Sequence, residues 1–347
     1  MSQFIPELEL AERFYREVIK PILKTNYPDL LYSAALIGDG SGVLGYDTEL
    51  SRDHDWGPRL HLFMEANTIA VEKINNALDE NLPDEFLGYP VRFSKGGSPT
   101  RHHVDIHTLE SYLQEYLGIS SLEALEPSDW LTFPQEKLLC LTAGQVFRDG
   151  MDVLGKMRHQ LAYYPHQVWL YLVASGWRSL SQEMPFVGRC ADVGDDVGSK
   201  LIAARQSQRA TQLLFLLEKQ YAPYSKWLGT AFNQLKHGPS IAPHLNKAML
   251  APDWKERESN LNEAYKLLVG VFNDLQLIKP VPGETKNFFD RPYTIVEGPS
   301  PELIQALISE EQLRSLPLGV GGIDQVTDNV DVLTYSKVFR RIKGLYS

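Results

Sequence analysis

Cysteine is scarce in this chain: 347 residues carry two, Cys140 and Cys190. Two such residues build no disulfide framework, and neither sits in a CxxC pair. Positive charge is also short. The chain has 34 Lys and Arg against 44 Asp and Glu, a net charge of −10. Binding along nucleic acid depends on phosphate neutralisation by Lys and Arg, so this balance disfavours nucleic acid as a partner, a local basic groove aside. It suits a cationic small molecule. No apolar run is long enough to span a bilayer, which sets aside a membrane partner. The first ten residues lack the basic start and apolar stretch of a secretory signal. With cysteine this sparse, the expected location is cytoplasmic. Internal repeats and low-complexity tracts are missing too.

The residues that are present are ordinary in bulk and uneven along the chain. The apolar fraction of 43% is that of a globular protein, and the length suits about two domains. Helical spacing of Leu8, Leu10, Phe14, Val18 and Ile22 predicts a helix over residues 5–24. Residues 30–37 and 56–64 read as strands. Residues 68–78 predict a helix, and Val91–Phe93 and Val104–Ile106 two more short strands. From Leu109 to about Ile278 the pattern turns helical, with 3.6-residue periodicity over 145–161, 165–183, 195–220 and 261–273. Breaks fall at Pro165, Pro185, Pro223 and Pro252. A stretch rich in Pro and Gly comes after Lys279, then a helix near 301–314 and an amphipathic tail over 332–346. The expected fold is α+β: a mixed β-sheet domain over residues 1–120, then a mainly helical domain over 121–347 with a Pro/Gly-rich elaboration.

The chemistry is concentrated near the start. Gly40-Ser41 comes after an apolar strand, and Asp53-His54-Asp55 begins twelve residues after Ser41. Small turn residues let backbone N–H groups approach a phosphate closely. Carboxylates two apart share one side of a strand and could hold Mg²⁺, a hard cation that binds oxygen ligands and phosphates together. Asp105, between Val104 and Ile106, is the candidate third carboxylate, because a charge pinned between buried aliphatics is costly unless paired or metal-bound. Any one of these acids taken alone is an ordinary turn or surface residue. The combination points to metal-dependent phosphoryl or nucleotidyl transfer.

Gly40-Ser41, Asp53-x-Asp55 and Asp105 resemble the signature of the DNA polymerase β-type nucleotidyltransferases. The longer run from Gly45 to Arg59 resembles a bacterial branch labelled domain of unknown function 4037. So do Phe186–Arg189, Leu201–Arg205 and Tyr221–Trp227. The resemblance implies a nucleotidyltransferase-type sheet with a helical domain behind it. It implies that Gly40 and Ser41 contact the triphosphate, that Asp53 and Asp55 bind metal, and that Asp105 is a metal ligand or the base for an acceptor hydroxyl. Lys226 would touch the triphosphate or the acceptor. The implied co-substrate is ATP or another NTP with one or two Mg²⁺ ions. The acceptor is unidentified, a small molecule being favoured over a protein, and the oligomeric state is open. Two departures stand out: His54 replaces an apolar residue between the paired Asp, and the loop from Ser41 to Asp53 is long and polar. They leave room for a nucleotide-binding or regulatory protein on the same fold with little turnover.

Other candidates compete with this reading. His103, Asp105 and His107 share a strand face and could bind a transition metal, as in a metal hydrolase; His102 adjoins them. The alternative is that these histidines flank a Mg²⁺ site or contact phosphates and acceptor. Lys95-Gly96-Gly97-Ser98 lacks Walker spacing and reads as a hairpin or loop. Arg189, Arg205 and Arg209 could contact phosphate or lie on solvated helix faces. Asp192, Asp195 and Asp196 precede a helix and suit capping; one of them, or Glu183, could instead act as a base.

Overall fold

The computed structural model describes residues 4–53, 56–65, 71–94 and 99–346, without the side chain of Asp53. The chain forms two compact units. One comprises Met1–Leu125, Lys137–Ala162 and Thr334–Lys337; the other comprises Glu126–Glu136, Tyr163–Leu333 and Val338–Ser347. The class is α+β. No described helix is long and apolar enough to cross a membrane.

The first unit is built on a mixed sheet. Its strands are β1 (Ser33–Leu36), β2 (Arg59–Phe63), β5 (Arg92–Phe93), β6 (Arg101–His107) and β7 (Gln145–Asp149); a separate two-strand ladder pairs β3 (Glu85–Phe86) with β4 (Tyr89–Pro90). The sheet order is β5-β6-β2-β1-β7. β1 runs antiparallel to both β2 and β7, whereas β2 and β6 are parallel. Period-2 alternation sorts the faces. Leu60 and Leu62 of β2 and Val104 of β6 enter a core shared with Phe14, Ile19, Leu23, Ile74 and Leu78. Those partners come from α1 (Glu7–Phe14), a π-helical turn (Tyr15–Ile19), α2 (Lys20–Asn26) and α3 (Val71–Asn81). Arg59, His61 and Phe63 point to the other face, with His103, Asp105 and His107 as their register partners.

One element differs in kind from the periodicity expectation. The 3.6-residue spacing predicts helix throughout 145–161, but Gln145–Asp149 is the edge strand β7 and only α7 (Leu154–Gln160) is helix. The strand wins because β1 offers an open ladder and because Phe147 packs on the core under the sheet. Asp149 then ends the strand by accepting backbone N–H bonds from Val153, Leu154 and Gly155, a turn that starts α7. α4 (Leu109–Tyr116) comes directly after β6, opened by a capping box between Thr108 and Ser111.

The second unit is helical: α5 (Pro127–Thr132), α8 (His166–Glu183), α9 (Phe186–Asp192), α10 (Asp196–Leu217), α11 (Ser225–Phe232), α12 (Gly238–Leu250) and α13 (Trp254–Asp274). α6 (Gln135–Thr142) begins here, and from Lys137 onward belongs to the first unit. α10 packs on α8, α9, α12 and α13, which is why apolar residues surround its C-terminal half. Asp195 caps α10 through Gly198 N–H at 2.7 Å, and Asp196 pairs with the fully buried Arg257. Both acids are thus accounted for by capping and pairing.

Asp324 carries a stability cost in this unit. Its carboxylate accepts the Gln135 N–H at 3.1 Å, but burial, with Glu136 nearby, pushes its pKa up to about 7. A carboxyl raised in the fold binds its proton more tightly there than in the unfolded chain. Its stabilising share is complete below pH 4 and is lost as pH rises to about 7. A shift of about 3 units at 1.36 kcal/mol each bounds the loss near 4 kcal/mol. Asp324→Asn is expected to be about 2–4 kcal/mol more stable than the parent at pH 8 and indistinguishable from it at pH 4, read by urea unfolding at both pH values.

Candidate active site

The turn after β1 is built from beneath. Glu7, on the apolar stripe of α1 with Leu10, Ala11 and Phe14, is completely buried. Its carboxylate accepts Arg59 Nε at 2.7 Å, Arg59 Nη2 at 3.2 Å and the Gly57 N–H at 3.2 Å. Burial raises its pKa, and Arg59 and Gly57 oppose that rise. Arg59 Nη2 also donates to the Asp39 carbonyl at 2.9 Å. The ion pair therefore ties α1, β2 and the 38–42 turn together. Gly42 lies on the Glu7 side chain so closely that a Cβ there would collide with the carboxylate. Gly40 has φ +132°, a conformation that favours glycine. Because Arg59 and Gly57 pin the Glu7 carboxylate, it cannot yield to a Cβ. Gly42→Ala is expected to cost about 1–3 kcal/mol in urea unfolding.

The Asp39 side chain is held as firmly. Lys137, 4% exposed, donates to both carboxylate oxygens at 3.0 and 3.1 Å, and Tyr116 donates its hydroxyl at 2.7 Å. Lys137 also lies over the Tyr116 ring, 4.4 Å from its centroid. Gly38 N–H donates to the Cys140 carbonyl at 3.0 Å. Ser41 is half-buried and its carbonyl accepts the Tyr46 N–H at 3.0 Å. The turn is thus shaped by charges from three other segments.

Asp105 faces this region through β2. It is the register partner of His61, whose Nε2 is 3.9 Å from where a Gly38 Cβ would stand. Arg101 Nη1 donates to Asp105 at 2.7 Å. Burial works to raise the Asp105 pKa; the Arg101 bond, His61, the Arg101 charge and His103 outweigh it and hold the carboxyl below its ordinary range. Asp105 is therefore ionised at neutral pH.

The backbone at Asp53 is placed differently from expectation. Asp53 ends a 3₁₀ turn (Glu49–Asp53) and is not on a strand; β2 begins at Arg59. Local bonds explain it: Ser51 Oγ accepts the Thr48 N–H at 2.6 Å and Arg52 Nε donates to the Glu49 carbonyl at 3.1 Å. Gly57 at φ +148° then interrupts any extended run into β2. The Asp53 side chain, His54 and Asp55 lie outside the described residues, as do Lys95–Ser98. The next residue after the paired acids is anchored: Trp56 Nε1 donates to Asp47 at 2.8 Å, and Asp47 also accepts the Glu7 N–H at 2.7 Å.

The histidine face does not assemble as a metal site. His103, Asp105 and His107 do share a face, but their partners diverge. His103 Nε2 is 2.9 Å from the Phe93 carbonyl, and its ring lies tilted against that of Phe93 with centroids 4.3 Å apart. His107 Nε2 is 3.1 Å from His61 Nδ1, and Asp105 is taken by Arg101. Among the described residues no group of three His, Cys, Asp or Glu could hold a metal ion. That geometry gives the transition-metal hydrolase reading no support among the described residues. His102 points away, buried near Asp79.

Lys226 belongs to the helical unit, in the first turn of α11, with its ammonium 5.0 Å from the Trp227 ring centroid. Arg205 and Arg209 both bond Glu183, and Arg189 lies over the Phe186 ring.

Glu7, Asp39, Arg59, His61 and Lys137 escape a reading by motif. A signal exists for two of them. Glu7 falls on the helical stripe of Leu10, Ala11 and Phe14, and Arg59 leads the alternation Arg-Leu-His-Leu-Phe. A charge at such a position asks for a buried partner.

Residues 130–228 match the family model described as domain of unknown function (DUF4037), a stretch running from α5 into α11. The chain is also similar to a nucleotidyltransferase-like protein from Exiguobacterium sibiricum, known from its crystal structure. The identity is 12% and the TM-score 0.34, over 76% of this chain and 74% of that one. No curated protein matches the chain.

Proposed function

We propose that the protein is a Mg²⁺-dependent nucleotidyltransferase that moves a nucleoside monophosphate, AMP from ATP, onto a hydroxyl-bearing small-molecule acceptor. The acceptor oxygen bonds to the α-phosphorus, the bond from that phosphorus to the bridging oxygen breaks, and pyrophosphate leaves. The hydroxyl proton passes to a carboxylate, Asp105 in this reading, or to solvent. One observation carries the proposal. The Gly38–Gly42 turn is braced by the Glu7–Arg59 and Asp39–Lys137 pairs, one strand away from an ionised Asp105. Backbone N–H groups of Gly40 and Ser41 would bind triphosphate oxygens.

Asp53, Asp55 and Asp105 would hold the Mg²⁺. Oxygen donors suit that ion, and Asp105 is already charged, while the neighbouring imidazoles have other partners. Bound there, the metal supplies charge neutralisation at the transferring phosphate. The base preference for adenine rests on the abundance of ATP and on the resemblance to nucleotidyltransferases.

The test is incubation with Mg²⁺ and each α-labelled NTP, with and without cell extract. Label moving onto a small molecule with stoichiometric pyrophosphate is the expected result. Nucleotide binding without pyrophosphate release would instead select a regulatory protein on the same fold.

A further inference from the structure

The helical unit contains a polar cavity of about 230 Å³ between α8, α10 and the segment 324–328. That is less than a drug-sized pocket of about 300 Å³ and upward. Two arginines one helical turn apart on α10 line it, Arg205 and Arg209. Both are oriented by the same atom: Glu183 Oε2 accepts Arg205 Nε at 2.9 Å and Arg209 Nη1 at 2.6 Å. Arg209 Nη1 is further fixed by the Ser179 carbonyl at 2.9 Å. The remaining guanidinium N–H groups of both arginines have no partner among the described residues.

Within that trio one carboxylate faces two cations, a local excess of one positive charge before the acidic Asp324 and Asp328 of the facing segment are counted. A bridge that merely tied α8 to α10 would need one arginine. The other walls mix the polar Gln208, Gln212 and Thr327 with the apolar Leu213 and Val326, and two acidic residues, Asp324 and the exposed Asp328, line the 324–328 side. Fixed guanidinium forks suit an oxyanion, and the amides and Asp328 suit hydroxyl or ammonium groups on the same molecule.

We propose that this cavity binds a small hydroxylated or amino acid-like molecule through its carboxylate or phosphate group, held by Arg205 and Arg209. The inference stands on the helical unit alone and is independent of the nucleotidyl-transfer reading.

The test is thermal stabilisation of the full chain by inorganic phosphate and, in a separate arm, by malonate, each against chloride at matched ionic strength. A ligand that binds only the folded state raises the melting temperature with concentration. Stabilisation in either arm is expected, and the stronger arm tells phosphate from carboxylate. Arg205→Gln and Arg209→Gln should each weaken the apparent affinity at least tenfold. Gln208→Phe, which fills the cavity and leaves the Glu183 bridge intact, should do the same even if an arginine variant folds poorly. Arg189→Gln, a cation outside the cavity, should bind as the parent does. Absence of stabilisation in both arms, or loss of binding in Arg189→Gln equal to that in Arg209→Gln, would overturn the proposal. So would full binding in Gln208→Phe.

Discussion

Asp105→Asn is expected to lower NTP-dependent pyrophosphate release by about 10²–10⁴-fold while leaving the protein folded. The size comes from the role: losing a general base, or a charge that acts on the developing transition state, costs that much. The retained stability comes from exposure. Arg101, Asp105's partner at 2.7 Å, is half exposed, and ion pairs of that kind contribute about 0–1 kcal/mol. Asn keeps the shape that sits between His103 and His107 on β6 and can still accept from Arg101. Lost turnover with an unchanged urea midpoint is therefore the signature of chemistry and not of damage. Asp53→Ala and Asp55→Ala should fall as far as Asp105→Asn, because all three are assigned to one metal site. Unchanged turnover in both paired-Asp variants would refute the nucleotidyltransferase reading. Arg101→Gln is the informative companion. It removes the bond that lowers the Asp105 pKa, so the acid limb of the pH–rate profile should move to higher pH.

The sheet is legible in the sequence wherever alternation is clean. Residues 56–64 alternate through Leu60 and Leu62, and β2 lies inside that span. Val104 and Ile106 bracket Asp105 and put it on a strand face, as β6 shows. The failure at Gln145–Asp149 has a physical cause. Its five residues fit both periods, and the deciding factor is the free edge of β1, over a hundred residues earlier. Tertiary pairing overrides a weak local preference there. The same limit applies to Asp53. Period 2 between Asp53 and Asp55 suggests a strand, but the Thr48–Ser51 and Glu49–Arg52 bonds wind the chain into a 3₁₀ turn. The Gly-Ser motif is visible, whereas its supports are not. Lys137 and Asp39 are 98 residues apart and Glu7 and Arg59 are 52 apart. No spacing rule links residues that meet only when helix and sheet are packed.

Breaking the Glu7–Arg59 pair is the stability change expected to be largest. Both side chains are at most 4% exposed. Removing one partner leaves the other charged and dry, a loss of about 3–5 kcal/mol. For Arg59→Met the deficit has a sign with pH. Glu7 loses the charge and hydrogen bonds that opposed burial, so its pKa climbs further above the ordinary carboxylate value. A carboxyl raised in the fold costs stability as pH increases, so the deficit should be smallest near pH 4 and grow toward neutrality. Glu7→Leu should show a deficit with much weaker pH dependence, because arginine stays charged throughout. The double variant Glu7→Leu/Arg59→Met should be less damaged than the two single losses added together. A coupling energy of about 2 kcal/mol or more is expected from urea unfolding. The remaining loss reflects the Gly57 N–H and the Asp39 carbonyl, which lose their partners. Nucleotide affinity should fall in all three variants, because the 38–42 turn rests on this pair and Gly42 touches Glu7 directly. A cost below about 1 kcal/mol for Arg59→Met, or full nucleotide affinity in the double variant, would mean that the turn holds its shape without the pair. The bracing role assigned to Glu7 and Arg59 would then be wrong.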